Sequence, residues 1–348
     1  MAAQGAGDMP PITNPAGRSS TLTTRAVRVF GWAILICLLV FLINNYLNFW
    51  LGWPGASAPF TSRDAGVPAL AWLQVAAYPI GVALAVVLVS ATSTRTLRED
   101  SVRISGMNTF IIRAAFFAVL YVGIADAVIS FLRVEGLLPP LFGEQMALDL
   151  GRCAFRGPYI HMPLVCLGIV TAVFSRTLGF TWLALLVVGA ELLIVITRFI
   201  FSYEQAFMGD LVRFWYAALF LFASAHTLLE EGHVRVDVFY AGLNARQRGW
   251  VNALGSVLLG ISVCWVILLI GMGSKSDVIN SPLLAWETTQ TGFGMYVKYL
   301  MAGFLAIFAI SMMIQFVSYM MDATADLRGE PGATIIQATA LVKGGELQ

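Results

Sequence analysis

Charge is scarce in this sequence. Of its 348 residues only 12% are Asp, Glu, Lys or Arg, against about 25% in ordinary soluble domains. The 21 Lys and Arg nearly balance the 20 Asp and Glu, leaving a formal net charge of +1. No basic run exceeds a few residues, which argues against a nucleic-acid partner. Histidine is scarcer still, at His161, His226 and His233. A bis-histidine haem needs two imidazoles at one depth on facing helices. His161 is expected near the outer surface and the other two near the inner one, so a haem cytochrome is set aside. Cysteine occurs at Cys37, Cys153, Cys166 and Cys264, with no CxxC or CxxH spacing, so no metal centre is expected. No HExxH, nucleophile–base pair or carboxylate dyad shares a loop, and no cofactor is expected.

What the chain does have is hydrophobic residues, 58% of the total. A helix needs about 20 apolar residues to cross the hydrocarbon core. Eight segments qualify: 26–49, 68–92, 108–132, 158–176, 180–201, 211–230, 249–273 and 296–321. Open strands would leave backbone groups unpaired in lipid, so the fold class is all-α, a polytopic membrane helical bundle of about eight transmembrane helices. The segment 158–176 is the shortest and carries Pro158 and Pro163 near its start. Pro79 and Gly81 mark a possible kink in the second. The loop 133–157 either carries a short interfacial helix around 142–150 or is an unstructured connector. Ser256 with Gly260, and Ala114 with Ala118, have the small-xxx-small spacing that permits close helix approach.

Basic residues orient such a bundle. With a cytoplasmic N-terminus, the inner side holds Arg18, Arg25, Arg28, Arg95, Arg98, Arg103, Arg176, Arg235, Arg246, Arg248, Arg328 and Lys343. The outer side then holds Arg63, Arg152, Arg156 and Lys275, while Arg113, Arg133, Arg198, Arg213 and Lys298 fall within or at the ends of helices. Both termini are therefore expected in the cytoplasm. The expected organisation is a disordered tail over 1–25, four transmembrane helices over 26–176, a four-helix module over 177–325 and a cytoplasmic tail over 326–348.

Ionisable groups inside spans are costly and default to functional candidates. Asp126 lies in the third span. Glu191 lies deep in the fifth, with Arg198 two turns later. Each either sits on an ion path or hydrogen-bonds a neighbouring helix and specifies packing. Gly- or Pro-broken helix pairs of the kind that build transporter sites are missing. The densest polar island is 228–250, where Val234, Val236 and Val238 alternate with His233, Arg235 and Asp237. It reads as a short strand, an extended turn at the headgroups or a solvated cytoplasmic loop.

From about residue 180 onward the chain resembles the DctQ-like small permease subunit of tripartite ATP-independent periplasmic (TRAP) transporters. Arg198-Phe199-Ile200-Phe201 is similar to the family's first-helix ending, and Asp210-Leu211-Val212-Arg213 to the start of its second helix. That helix runs through Phe220-Leu221 into Glu230-Glu231-Gly232-His233-Val234-Arg235-Val236-Asp237, the most specific stretch. It continues with Leu243, Arg246 and Arg248. Trp286-Glu287-Thr288-Thr289 is similar to the segment before the last helix. The chain departs from the family in Phe207-Met208-Gly209, where a tandem acid with a preceding Trp is usual, and in its four earlier spans.

The resemblance implies a small, non-enzymatic scaffold subunit in the bacterial inner membrane. It would brace a large sodium-coupled permease subunit that works with a periplasmic solute-binding protein on an organic acid or related solute. Arg198, Asp210 and Arg213 would clamp two helices near the outer surface, or Asp210 and Arg213 would form only a local pair. His233, Arg235 and Asp237 would order the inner loop, and Glu287 would lie at the subunit interface. A free-standing carrier with Asp126 and Glu191 on an ion route is the alternative. A membrane enzyme or redox anchor is the third reading.

Overall fold

The structure, a computed structural model, describes residues 22–61, 66, 68–177, 179–203, 205–229, 240, 242–286 and 294–330. Among these, eight helices are long and apolar enough to cross a bilayer. They are α1 (Leu22–Phe49), α2 (Ala69–Ala91), α3 (Leu97–Val134), α4 (Cys153–Phe174), α5 (Phe180–Ile200), α6 (Phe207–Leu229), α7 (Arg246–Met272) and α8 (Lys298–Leu327). No strand occurs among the described residues. The chain is a multi-pass, all-α membrane protein.

The helix boundaries follow local chemistry more closely than hydropathy does. α3 starts at Leu97, not 108, because Thr96 and Glu99 form a reciprocal capping box and Glu99 and Asp100 place acids in the first turn. Both features favour a helix N-terminus. The resulting 38 residues span about 57 Å at 1.5 Å per residue, nearly twice the hydrocarbon thickness of about 30 Å. The same device starts α7 early, where Asn244 and Gln247 form a capping box. α4 begins at Cys153, not 158, and absorbs Pro158 and Pro163 by passing through a π-helical turn at Gly157–His161. α2 runs unbroken through Pro79. The loop before α4 carries two short helices, Leu138–Phe142 and Glu144–Leu150, separated at Gly143 with φ of 83°.

α3 and α8 form the centre and run antiparallel. α8 packs on α1, α3, α6 and α7, while α3 also packs on α4 and α6. α2 packs chiefly on α1, and α5 chiefly on α6. Helix packing thus passes across residue 177. One apolar cluster joins Phe116 of α3, Phe214 and Phe222 of α6, and Phe304 of α8. Its rings meet edge-on, Phe116 to Phe222 at 5.6 Å and Phe222 to Phe304 at 5.0 Å between centroids, a favourable arrangement for aromatic quadrupoles. A second joins Leu35 of α1, Ile104 of α3, Leu268 of α7 and Val317 of α8. Small residues set the closest approaches, as expected where lipid supplies no hydrophobic drive between helices. Gly168 of α4 lies against the backbone of Ala118, and Gly260 of α7 lies against the ring of Phe316. The two small-xxx-small pairs of the sequence therefore mark real helix contacts.

Thr24 and Glu330 meet through their side chains, so α1 begins and α8 ends at one end of the bundle, here the proximal end.

Candidate functional site

Apolar side chains cannot tell one helix register from another as sharply as buried polar groups can. Two polar clusters, one at each end of the α3–α8 pair, do this here.

At the distal end Asp126 of α3 is fully buried. Its Oδ1 accepts from Arg156 Nη1 at 2.7 Å and from His161 Nε2 at 3.2 Å. Its Oδ2 accepts from the Tyr296 backbone N–H at 2.8 Å. A carboxylate only accepts, so His161 Nε2 donates to it, while Nδ1 shares a hydrogen bond with the Tyr299 hydroxyl at 2.6 Å. The π-helical turn in α4 sits between Arg156 and His161 and brings both to the same carboxylate. Arg156 Nε also donates to the carbonyl of Leu150. A second acid holds the neighbouring amide: Asp210 of α6 accepts from Met295 N–H at 3.2 Å. Arg133 donates to the Gly294 carbonyl at 2.7 Å and lies over the Tyr296 ring at 4.4 Å, while Arg156 lies over the same ring at 4.6 Å. Residues 294–296, just before α8, are therefore gripped by α3, α4 and α6 together. Two carboxylates at a helix N-terminus also suit the helix dipole. Trp286 covers the cluster, edge-on to Tyr299 at 5.7 Å, with φ of 54° and its ring against Gly157.

At the proximal end Arg28 of α1 and Asp100 of α3 form a fully buried ion pair at 2.7 Å. Trp32 donates to the same carboxylate oxygen at 2.9 Å. The other Arg28 nitrogens donate to the Thr92 carbonyl at 2.9 Å, the Thr92 hydroxyl at 2.8 Å and the Arg95 carbonyl at 3.2 Å, closing the α2–α3 connection onto α1. Arg98 bridges Asp322 at 2.9 Å and Asp326 at 2.6 Å, tying the first turn of α3 to the last turns of α8. A polar ladder follows. Ser101, Ser105 and Asn108 on α3 face Ser318, Gln315 and Ser311 on α8. Both triplets have i, i+4, i+7 spacing, which puts each on one helix face.

The residues singled out from sequence fall in different places. Asp126 is the hub of the distal cluster. Asp210 joins that cluster and also faces Arg213 and Lys298, each at 3.7 Å. Arg213 is mostly exposed, with 75% of its side chain accessible. Arg198 lies exposed at the end of α5. Glu191 is exposed on α5, and no described residue hydrogen-bonds to it or pairs with its charge. His233, Arg235, Asp237 and Glu287 lie outside the described residues. Sequence reasoning counted Arg28 and Arg156 only as orienting cations, whereas both are buried ion-pair members. An in-span acid at Asp126 and the first cation of the next helix, Arg156, were the available signal. Among the described residues no group of three His, Cys, Asp or Glu could hold a metal ion.

Residues 187–324 match the family described as tripartite ATP-independent periplasmic transporters, DctQ component. The match starts within α5 and ends within α8. No curated protein and no solved structure matches the chain.

Proposed function

We propose, from the match of residues 187–324 to the DctQ component family, that this chain is the small membrane subunit of a TRAP-type transporter and braces a large sodium-coupled permease subunit. A periplasmic solute-binding protein would deliver the solute, an organic acid or related small molecule. The family match carries this reading. The chemistry of Asp126 supports it against a free-standing carrier. Both oxygens of that buried carboxylate are already taken by Arg156, His161 and Tyr296, so it offers a travelling cation little. The other in-span acid, Glu191, is on an exposed face rather than beside it. The matched family is a transporter component, and an enzymatic role finds no support in it.

On this reading the protein resides in the bacterial inner membrane with the proximal end cytoplasmic, as the distribution of basic residues favours. The four spans before residue 177 enlarge the scaffold, and α3 joins them to α6 and α8. His233, Arg235 and Asp237 order the inner loop, and Glu287 lies toward the partner, while Arg198, Asp210 and Arg213 serve the outer end. Two experiments test the reading. Affinity-tagged chain should retain the large subunit through purification, and Asp237→Ala should lower that yield; unchanged yield would remove Asp237 from the interface. Liposomes holding this chain alone should accumulate no solute, and active uptake would favour the carrier instead.

A further inference from the structure

Glu191 is an in-span acid with no hydrogen-bond or ion-pair partner among the described residues. It sits near the middle of α5, eleven residues after Phe180 and nine before Ile200, and so near mid-depth in a bilayer. Ionisable side chains at that depth almost always face a bundle interior or a water-filled cavity and are paired there. Two acids toward the ends of α3 are paired in this way. Asp126 and Asp100 are buried and bound to arginines. Glu191 is instead exposed. Its stripe on the helix continues at i−3 and i+4 through Val188 and Val195, which are 64% and 48% exposed. Leu183, Val187 and Ala190 fill the adjoining, buried face. α5 is also lightly packed, resting chiefly on α6.

A lone carboxylate on a valine-lined face is poorly suited to lipid and well suited to a second protein. We infer that the Val188–Glu191–Val195 stripe of α5 is the docking surface for a transmembrane helix of the large permease subunit, which presents a Lys or Arg to Glu191 at mid-depth. The proposal rests on the small-subunit reading above and locates its interface. Opposite charge sets the partner's chemistry: a basic side chain satisfies the acid, and each hides the other from lipid. A second copy of this chain would instead bring two carboxylates together across a two-fold contact and so is disfavoured.

The test uses the full chain in its native membrane. A photoreactive residue replaces Val188 or Val195, with Val87 of α2, 62% exposed, as the control position. Adducts with the large permease subunit, identified by mass, are expected from the two α5 positions and not from the control. Glu191→Leu and Glu191→Lys should lower co-purification of the large subunit by at least about tenfold, since removing one member of a buried charge pair costs that much or more. Glu191→Gln should lower it less. The purified single chain should melt no lower with Glu191→Leu than without it, because the acid has no partner inside the described bundle. That result separates lost docking from lost folding. If the unsubstituted chain retains the large subunit while the α5 positions label only lipid or another copy, or Glu191→Leu leaves retention intact, the docking surface is refuted and the subunit role stands. If the unsubstituted chain does not retain the large subunit at all, the subunit role itself fails, and the docking surface with it.

Discussion

A buried ion pair contributes little net stability when complete, but breaking it exposes the remaining charge to a medium that cannot solvate it. Asp126 and Arg156 are both fully buried, 2.7 Å apart. Asp126→Ala should therefore destabilise the detergent-solubilised protein by about 3–5 kcal/mol, and Arg156→Ala by a similar amount. The double substitution should fall well short of the sum, because contacting residues couple by about 0.5–3 kcal/mol. Unfolding of the four proteins in one detergent measures the coupling, and simple additivity would show that the pair is not a unit. Outside the spans, Asp277 holds the turn after α7. The Ser274 hydroxyl and backbone N–H both donate to it, at 2.6 and 2.7 Å. These bonds, the hydroxyl's first, hold the Asp277 carboxyl below the ordinary carboxylate range. A depressed folded value means that the stabilisation is present above the unfolded value of about 3.9 and is lost as pH falls through the lowered one. Protection of the Ser274 amide against hydrogen exchange, taken relative to the intrinsic rate at each pH, should fall in that acid window, and Asp277→Asn should abolish that fall.

Helix contacts in this protein are decided by which glycines have a neighbour. A side chain on Gly168 would meet the backbone of Ala118, which cannot swing aside. Gly168→Val should force α4 away from α3 and destabilise the protein by about 1–3 kcal/mol. Gly106, also helical, has nothing within 4 Å of where a Cβ would lie. Gly106→Ala should be neutral or stabilise by up to about 1 kcal/mol, through helix propensity alone. Thermal melts of the two variants side by side test whether contact or propensity governs, and equal losses would mean neither glycine is read correctly. The Ser101–Ser105–Asn108 face works in the other direction. It adds hydrogen bonds that exist only when α3 and α8 are in one register, whereas the leucines and methionines around it tolerate sliding.

At the scale of the whole molecule the two ends are built differently. The proximal end holds the Arg28 and Arg98 networks, and the distal end holds the short helices Leu138–Phe142 and Glu144–Leu150. A periplasm-specific reporter inserted after Gly151 should be active, and one fused after Gly329 inactive. The reverse pattern would invert the proposed topology while leaving the fold untouched. α3 and α8 also exceed the hydrocarbon thickness, at 38 and 30 residues. Their polar turns meet through Arg98, Asp322 and Asp326. The α3–α8 pair therefore extends past the apolar core on the side where the Arg98 network lies.

The sequence by itself determined the class and the number of helices. Runs of about 20 apolar residues have no stable course in water, and backbone pairing in lipid leaves them only the helix. It also carried the family signal, since Asp210 to Arg213 and its neighbours lie in order along the chain. What it left open was which polar groups meet. Arg156 looked like a loop cation because its partner Asp126 is thirty residues earlier. Arg28 counted only as an orienting cation because its partner Asp100 is on another helix. Hydropathy averages along a chain and cannot register a capping box, so the first turns of α3 were hidden as well. Only the tertiary structure decided that Asp126 is saturated and Glu191 is not. Pairing is a property of positions in space: the free energy of a charge in a low-dielectric medium depends on what stands within a few ångströms, wherever in the sequence it comes from.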